Sequence, residues 1–378
     1  MKILFTGGGS GGHFYPIIAV AQALSNRVEE RKILKPTLYF MSPTPYNPRA
    51  LFEAELQYIR VPAGKIRHYF SLLNITDAFK TAYGCLWALV TMFRIYPDVV
   101  FAKGGYASFP ALFAAKILGI PVVIHDSDSR PGRVNIWAGK FAKRIAISYP
   151  SAAKYFKDPK GTRVAHTGNP IRGAILEPLS NGAREFLNLE EKTPVVVILG
   201  GSQGSQTIND VMLNALPELL NRYQVIHQVG KANIENVTQT TNLILKDHPY
   251  SYRYHPFDYL NELAIRMSAG VADVIISRAG STIFEIASWG VPSILIPISP
   301  EVSHDQTPNA LAYAQTGAAS IIEENNLTAH VLIGEIDRIY THPAIQQTMK
   351  EQAKAFARKD SANLIADAIL NVALEHEK

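Results

Sequence analysis

Lys2-Ile3-Leu4-Phe5-Thr6-Gly7-Gly8-Gly9-Ser10-Gly11-Gly12-His13 opens the chain, and Val195-Val196-Val197-Ile198-Leu199-Gly200-Gly201-Ser202-Gln203-Gly204-Ser205 opens its second half in the same way. Each is a short apolar run that passes straight into a glycine-rich turn. A run apolar on both faces reads as a parallel strand covered by helices on both sides. Glycines at its end let the backbone approach a ligand closely. The helix that follows, from about Tyr15 in the first half, presents unpaired N–H groups and a positive dipole end to an anion. One such turn serves tight strand-to-helix packing equally well; two after equivalent strands point to ligand binding.

Further apolar runs extend the pattern outward. Thr37–Met41, Asp98–Ala102, Pro121–His125 and Arg144–Ser148 follow in the first half, and Gln224–Val229, Asp273–Ser277, Pro292–Ile298 and Ala319–Ile322 in the second. Helical stretches separate them. Asp-Val-Val-Phe from Asp98 is echoed by Asp-Val-Ile-Ile from Asp273, and Gly-Ile-Pro-Val-Val-Ile from Gly119 by Gly-Val-Pro-Ser-Ile-Leu from Gly290. The spacing predicts an α/β protein of two doubly wound, Rossmann-like domains facing across a cleft. The expected domains are residues 1–166 and 167–345, joined near Thr167–Arg172, where Gly168, Asn169 and Pro170 break any element. A C-terminal helix over 346–378 can pack back on the first of them.

Composition agrees with that reading. At about 150 residues per domain, 378 residues give two to three domains. Apolar residues reach 47% and charged residues only 18%, against about 25% charged in an average soluble protein. That balance excludes a disordered chain or a coiled coil. The net charge of +5 suits an anionic ligand or membrane surface and is less than a nucleic-acid binder concentrates, so no nucleic-acid partner is expected. Cys85 is the only cysteine, which excludes an intrachain disulfide or a cysteine zinc site and fits a reducing compartment. No segment reaches the roughly 20 apolar residues of a membrane span. After Lys2 only Ile3–Phe5 are apolar before the first glycines, too few for a signal peptide. The expectation is an intracellular protein, soluble or held at a membrane surface.

The motifs narrow the chemistry. Gly7-x-Gly9-x-x-Gly12 fits a dinucleotide fingerprint, but that fingerprint needs an acidic residue ending the second strand, where Ser42-Pro43 stands. A Walker loop needs Gly-Lys-Ser/Thr; this loop ends in Gly12-His13. An imidazole with an ordinary pKa of about 6.5 suits a general base at neutral pH, or it holds the loop or a phosphate. Glu285, one turn into the helix after Arg278-Ala279-Gly280-Ser281-Thr282, can accept bonds from two ribose hydroxyls or simply complement the helix dipole. Ser303-His304-Asp305-Gln306-Thr307-Pro308-Asn309 follows a strand end, where α/β sheets bind ligands. Arg172 offers a cation to a diphosphate or is a surface residue. Asp126-Ser127-Asp128 has the letters of a sugar-transferase metal motif. Phe70, Leu72, Leu73, Ile75, Phe79, Leu86, Trp87 and Phe93 interleave with Lys65, Arg67, Lys80 and Arg94, a pattern that suits an anionic bilayer surface. Gly84–Phe93 reads equally well as a buried helix.

Gly8–His13, Gly104-Gly105-Tyr106, Gly168–Arg172, Gly200–Gly204, Arg278–Glu285 and Asp305–Ala310, in that order and across nearly the whole chain, resemble the lipid II-forming bacterial glycosyltransferases of family 28, which have the GT-B fold. The resemblance implies an inverting N-acetylglucosaminyltransferase of peptidoglycan synthesis. Its donor is UDP-GlcNAc, its acceptor the MurNAc 4-hydroxyl of undecaprenyl-diphosphate-MurNAc-pentapeptide (lipid I), and no cofactor or metal is obligatory. For such a transfer the candidate general base is His13, at the end of the first glycine loop, with Asp126 the competitor. Ser10, Gly11, Gly12, Arg172, Ser202 and Gln203 would line the donor diphosphate, and main chain near Phe257 would meet the uracil. Ser281, Thr282 and Glu285 would hold phosphate and ribose, Gln306 and Asn309 the sugar, and Gly104, Gly105 and Tyr106 the acceptor side. After Pro121–Ile124 the family usually reads His-Glu-Gln-Asn; here His125-Asp126-Ser127-Asp128 places Asp128 where an asparagine touches the donor, and this register gives the segment to the acceptor side rather than to a metal. The implied partners are also the anionic cytoplasmic face of the inner membrane and other cell-wall synthesis proteins. The alternatives are another GT-B UDP-sugar enzyme (a glycolipid or natural-product transferase, or an epimerase) and a nucleotide-sugar-binding protein without catalysis.

Overall fold

Every residue of Val99–Ala102 and of Val195–Leu199 is buried, because each strand carries apolar side chains to both faces of its sheet and helices cover both. The computed structural model describes residues 1–65, 73–201, 203–298 and 305–375. Among them, β1 (Lys2–Thr6), β2 (Thr37–Ser42), β3 (Leu56–Arg60), β4 (Val99–Ala102), β5 (Val122–Asp126), β6 (Arg144–Ile147) and β7 (Val164–His166) form one parallel sheet in the order β3-β2-β1-β4-β5-β6-β7. A second is built from β8 (Val195–Leu199), β9 (Gln224–Gln228), β10 (Tyr254–Phe257), β11 (Val274–Ser277), β12 (Ser293–Leu295) and β13 (Ala319–Ile321), in the order β10-β9-β8-β11-β12-β13. In each sheet the order reverses beside the first strand, between β1 and β4 and between β8 and β11. Loops leaving the carboxyl ends at such a reversal splay apart and leave a binding crevice. Both glycine loops sit there.

The chain divides into two compact units: Met1–Arg172 with everything from Arg358 on, and Gly173–Ala357. Both junctions differ from the boundaries at 166/167 and 345/346 read from the sequence, for a physical reason. Thr167 N–H donates to Ile147 O at 3.0 Å, and Gly168 O accepts from Ser361 Oγ at 2.9 Å. The Gly-Asn-Pro stretch is therefore fastened to the first unit, and the chain leaves it only after Arg172.

The expected C-terminal helix is two helices, one for each unit. Pro343–Phe356 stays with the second, where Phe356 stacks on Phe284 at 5.8 Å and meets Tyr313 edge-on at 4.9 Å. Ser361–Leu374 completes the first. Its Ile365, Ile369 and Val372 share one core with Phe14, Ile17 and Leu24 of the helix Gly11–Glu30, each fully buried aliphatic side chain contributing about 1.5–3 kcal/mol. Arg31 Nη2 pairs with Asp367 at 2.7 Å on the rim.

The helix Leu73–Ile95 resolves the two readings of its sequence. Cys85, Ala88 and Met92 are buried, while Ile75, Phe79, Tyr83, Leu86, Trp87, Val90 and Phe93 are exposed. At intervals of three and four residues these fall on one face. Lys80 and Arg94 are exposed on the same helix, as is Lys65 before it. Arg67, Phe70 and Leu72 lie outside the described residues, as does the side chain of Leu73. No described helix is long and apolar enough to cross a membrane.

Candidate functional site

On the first unit the site grows from β1. The helix after it begins at Gly11 rather than near Tyr15, so Gly11 and Gly12 occupy its opening positions and His13 its first turn. His13 and Phe14 N–H both point to Ser10 O, at 3.2 and 3.1 Å. Ser10 Oγ lies 3.0 Å from His13 Nδ1 and fixes the ring. On the far side of the ring is Gly105, where a Cβ would stand 3.6 Å from Nε2. Its φ of +76° belongs to the region that glycine enters without strain. A Cβ on Gly9 would be 3.0 Å from Tyr106 Cε1, so the Gly104-Gly105-Tyr106 loop after β4 lies against the first glycine loop.

Asp126 ends β5 and is 3% exposed. Its Oδ1 accepts from Asp128 N at 2.9 Å; its Oδ2 accepts from Asn135 Nδ2 at 2.7 Å and Gly132 N at 3.2 Å. Burial, and then the Asp128 charge, raise its carboxyl above the usual carboxylate range, opposed by the hydrogen bonds from Asn135 and from Asp128 N and by Lys103. Lys103, absent from the residues singled out in the sequence, is 1% exposed. Burial lowers its ammonium to about 8, opposed by Asp126 and Asp128. Its Nζ makes no hydrogen bond among the described residues. A lysine between a wholly apolar strand and two glycines was the available signal.

The His125 ring makes its hydrogen bonds outside this cluster. Its Nε2 lies 2.9 Å from Gly168 O and 3.2 Å from Ser148 Oγ, and burial keeps it neutral, assisted by Lys103. It helps fix the segment that ends in Arg172. The Arg172 guanidinium sits 4.2 Å from the centre of the Tyr15 ring, a cation–π contact that brings it to the helix of the first glycine loop.

On the second unit, Gly200–Gly204 leads into the helix Gln206–Leu219, capped by Ser205, whose Oγ accepts from Ile208 N. Arg278 Nη2 donates to Ser205 Oγ at 2.6 Å and to Glu324 Oε1 at 2.5 Å, and Nη1 donates to Ile296 O at 3.1 Å. Its cation therefore ties the carboxyl ends of β11 and β12 to the glycine-loop helix. Gln306 Oε1 accepts from Ala279 N at 3.1 Å and Ile298 N at 3.3 Å, and Asn309, 3% exposed, donates to Ala279 O at 3.4 Å. Both amides thus hold the turn that delivers Ser281 and Thr282 to the start of the helix Thr282–Trp289, with Glu285 half-buried in its first turn. Phe257, half-buried, ends β10 and its carbonyl accepts from Val229 N at 2.9 Å. The Gln203 side chain is exposed. Ser202, Ser303 and His304 lie outside the described residues.

The structure thus gathers the expected residues in two sets. Ser10, Gly11, Gly12, His13, Gly104, Gly105, Tyr106, Asp126, Asp128 and Arg172 belong to the first unit; Gln203, Phe257, Ser281, Thr282, Glu285, Gln306 and Asn309 belong to the second. Among the described residues, no group of three or more His, Cys, Asp or Glu is placed to hold a metal ion.

Comparison with known proteins agrees with this division. Residues 3–147 match the glycosyltransferase family 28 N-terminal domain, and residues 195–365 its C-terminal domain. The chain is 33% identical to the UDP-N-acetylglucosamine–N-acetylmuramyl-(pentapeptide) pyrophosphoryl-undecaprenol N-acetylglucosamine transferase of Treponema denticola, over 97% of this chain and 96% of that protein. It is 33% identical to the protein of the same name from Clostridium kluyveri, over 97% and 98%. Among solved structures it resembles Acinetobacter baumannii MurG, with a TM-score of 0.73 at 23% identity over 98% of this chain and 99% of that one. It also resembles the UDP-GlcNAc 2-epimerase from Neisseria meningitidis bound to UDP-GlcNAc, with a TM-score of 0.66 at 14% identity over 98% and 100%. At those identities the two structures speak for the fold alone.

Proposed function

Because the chain belongs to glycosyltransferase family 28, we propose that it transfers N-acetylglucosamine from UDP-GlcNAc to the 4-hydroxyl of MurNAc in lipid I, the step that forms lipid II in peptidoglycan synthesis. The observation that carries this reading is the near-complete, 33% identical match to transferases named for that reaction, where an epimerase of the same fold reaches 14%. In the transfer, a bond forms between the acceptor O4 and the sugar C1 while the C1–O bond to the diphosphate breaks, and UDP leaves with that electron pair. The O4 proton passes to His13 Nε2. In the tautomer in which Nδ1 donates to Ser10 Oγ, the lone pair lies on Nε2, the side from which Gly105 withholds a side chain. Asp126 is less suited: both its oxygens are occupied and it is buried.

The donor's uridine and ribose rest on the second unit, at Phe257, Ser281, Thr282 and Glu285. Its departing charge is met by the N–H groups and dipole end at the second unit's glycine loop, Gly200–Gly204. Incubation with UDP-GlcNAc and a short-chain lipid I analogue is expected to release UDP only when both are present. Conversion of UDP-GlcNAc to its 2-epimer, or UDP binding with no turnover, would replace this reading with one of its rivals.

We further propose that the helix Leu73–Ile95 seats the enzyme peripherally on the anionic cytoplasmic face of the inner membrane, where a polyprenyl-linked acceptor and a nucleotide-sugar donor meet. Its exposed apolar face flanked by cations supports this. Phe79→Ser combined with Trp87→Ser is expected to weaken sedimentation with anionic vesicles severalfold, with fold and UDP affinity intact, because both side chains are solvent-exposed. Wild-type binding should also decline as salt screens the cationic part. A double variant that sediments like the wild type, or that unfolds, removes this face from membrane contact.

A further inference from the structure

Gln228, the last residue of β9, is bonded at both ends of its side-chain amide. Nε2 donates to Gly201 O at 2.8 Å, in the loop after β8, and Oε1 accepts from Leu260 N at 3.1 Å, in the loop after β10. β8 and β10 are the two neighbours of β9 in the sheet, and the side chain, 5% exposed, spans between their ends. The adjoining backbone packs as closely. Val229 N donates to Phe257 O at 2.9 Å, and Val229 O accepts from Asn209 Nδ2 at 3.1 Å and Asn233 Nδ2 at 2.8 Å. A Cβ on Gly204, where φ is +77°, would stand 2.0 Å from Val229 O. The glycine loop thus has no room to shift without moving the end of β9, and the end of β9 is tied to the loop of Phe257.

We propose that Gln228 is a positioning residue that couples the loop at the donor's uracil to the glycine loop at its diphosphate, so that seating the nucleoside orders the phosphate-binding backbone. This rests on the reading of Gly200–Gly204 and Phe257 as donor segments. A single amide that satisfies one carbonyl and one N–H from different loops makes their order mutually dependent. The ordering entropy spent on one loop then lowers the cost of ordering the other. Such coupling is reciprocal and commonly amounts to 5–150-fold in affinity.

Hydrogen exchange on the full-length protein, with and without saturating uridine, tests this. In the wild type, uridine is expected to slow exchange in the segment 200–205, which it does not itself need to touch. In Gln228→Met, which keeps the length and loses both bonds, that slowing should vanish while uridine still binds. UDP affinity should fall about tenfold, KM for UDP-GlcNAc should rise in step, and kcat should stay within about twofold. Gln228→Glu keeps an acceptor for Leu260 N and loses the donor to Gly201, so it should lose the uridine effect too; it carries the test if the methionine variant fails to fold. Equal slowing at 200–205 in variants and wild type, or a fall in kcat at unchanged KM, overturns the coupling. A wild-type protein that binds neither uridine nor UDP overturns the donor-site reading itself, an outcome visible before any variant is made.

Discussion

Replacing His13 by alanine is expected to lower the turnover number at least about 100-fold, within the 10²–10⁴-fold range of a lost general base, while leaving the fold and the affinity for UDP-GlcNAc in place. The argument is geometric. Ser10 Oγ holds Nδ1 at 3.0 Å, the ring stands in the first turn of the helix Gly11–Glu30, and Gly105 keeps the space beside Nε2 clear of a side chain. A residue that only packed the loop would act through stability or donor affinity instead. The helix does not depend on His13 for its core contacts, which come from Phe14, Ile17, Ile18 and Leu24. Steady-state kinetics with saturating donor, alongside thermal unfolding and UDP titration, separates the two roles. If turnover falls less than tenfold in a well-folded variant, His13 is structural and Asp126, with Asn135 behind it, becomes the residue to replace.

The second large effect is expected at Glu285. Glu285→Ala should weaken UDP binding by about 1–3 kcal/mol, the cost of stranding hydrogen-bond partners of a charged group, or roughly 5- to 150-fold. The carboxylate stands half-buried at the start of the helix Thr282–Trp289, on a turn held by Gln306 and Asn309. A group that served only the helix dipole would cost about 0.3–1 kcal/mol of stability and nothing in affinity. Calorimetric titration with UDP, read beside the melting temperature, distinguishes these cases. Unchanged UDP affinity removes Glu285 from the donor site.

The central strands and both glycine loops were legible in the sequence because they are unconditional: a strand buried on both faces must be apolar throughout. Three of the four edge strands were not, β13 being the exception. β3 reads Leu-Gln-Tyr-Ile-Arg, β7 has three residues, and β10 carries Pro256. Each pairs on one side only, so polar residues, brevity or a missing N–H cost little there. The start of the first helix was placed late because glycine is a poor helix former, and here the loop packing overrides that preference. Asn135 and Gln228 were invisible for a different reason. Gln228 reaches partners 27 and 32 residues away, and nothing in a single sequence reports which backbone groups a side chain will find. The departure at Asp126–Asp128 was readable, as was a lysine set between an apolar strand and two glycines; that burial would bring the two together was not.

The helix Ser361–Leu374 lends the first unit part of its core although, among the described helices, it is the last to be made. A ribosome delivers residues in order at roughly 5–20 per second, so once Arg172 has emerged the stretch Gly173–Ala357 occupies about 10–40 s of synthesis before that helix exists. Throughout that interval Phe14, Ile17 and Leu24 have no Ile365, Ile369 or Val372 to cover them. The unit translated first is therefore the unit finished last, and a nascent chain must keep that apolar stripe from other partners until its own C-terminus arrives.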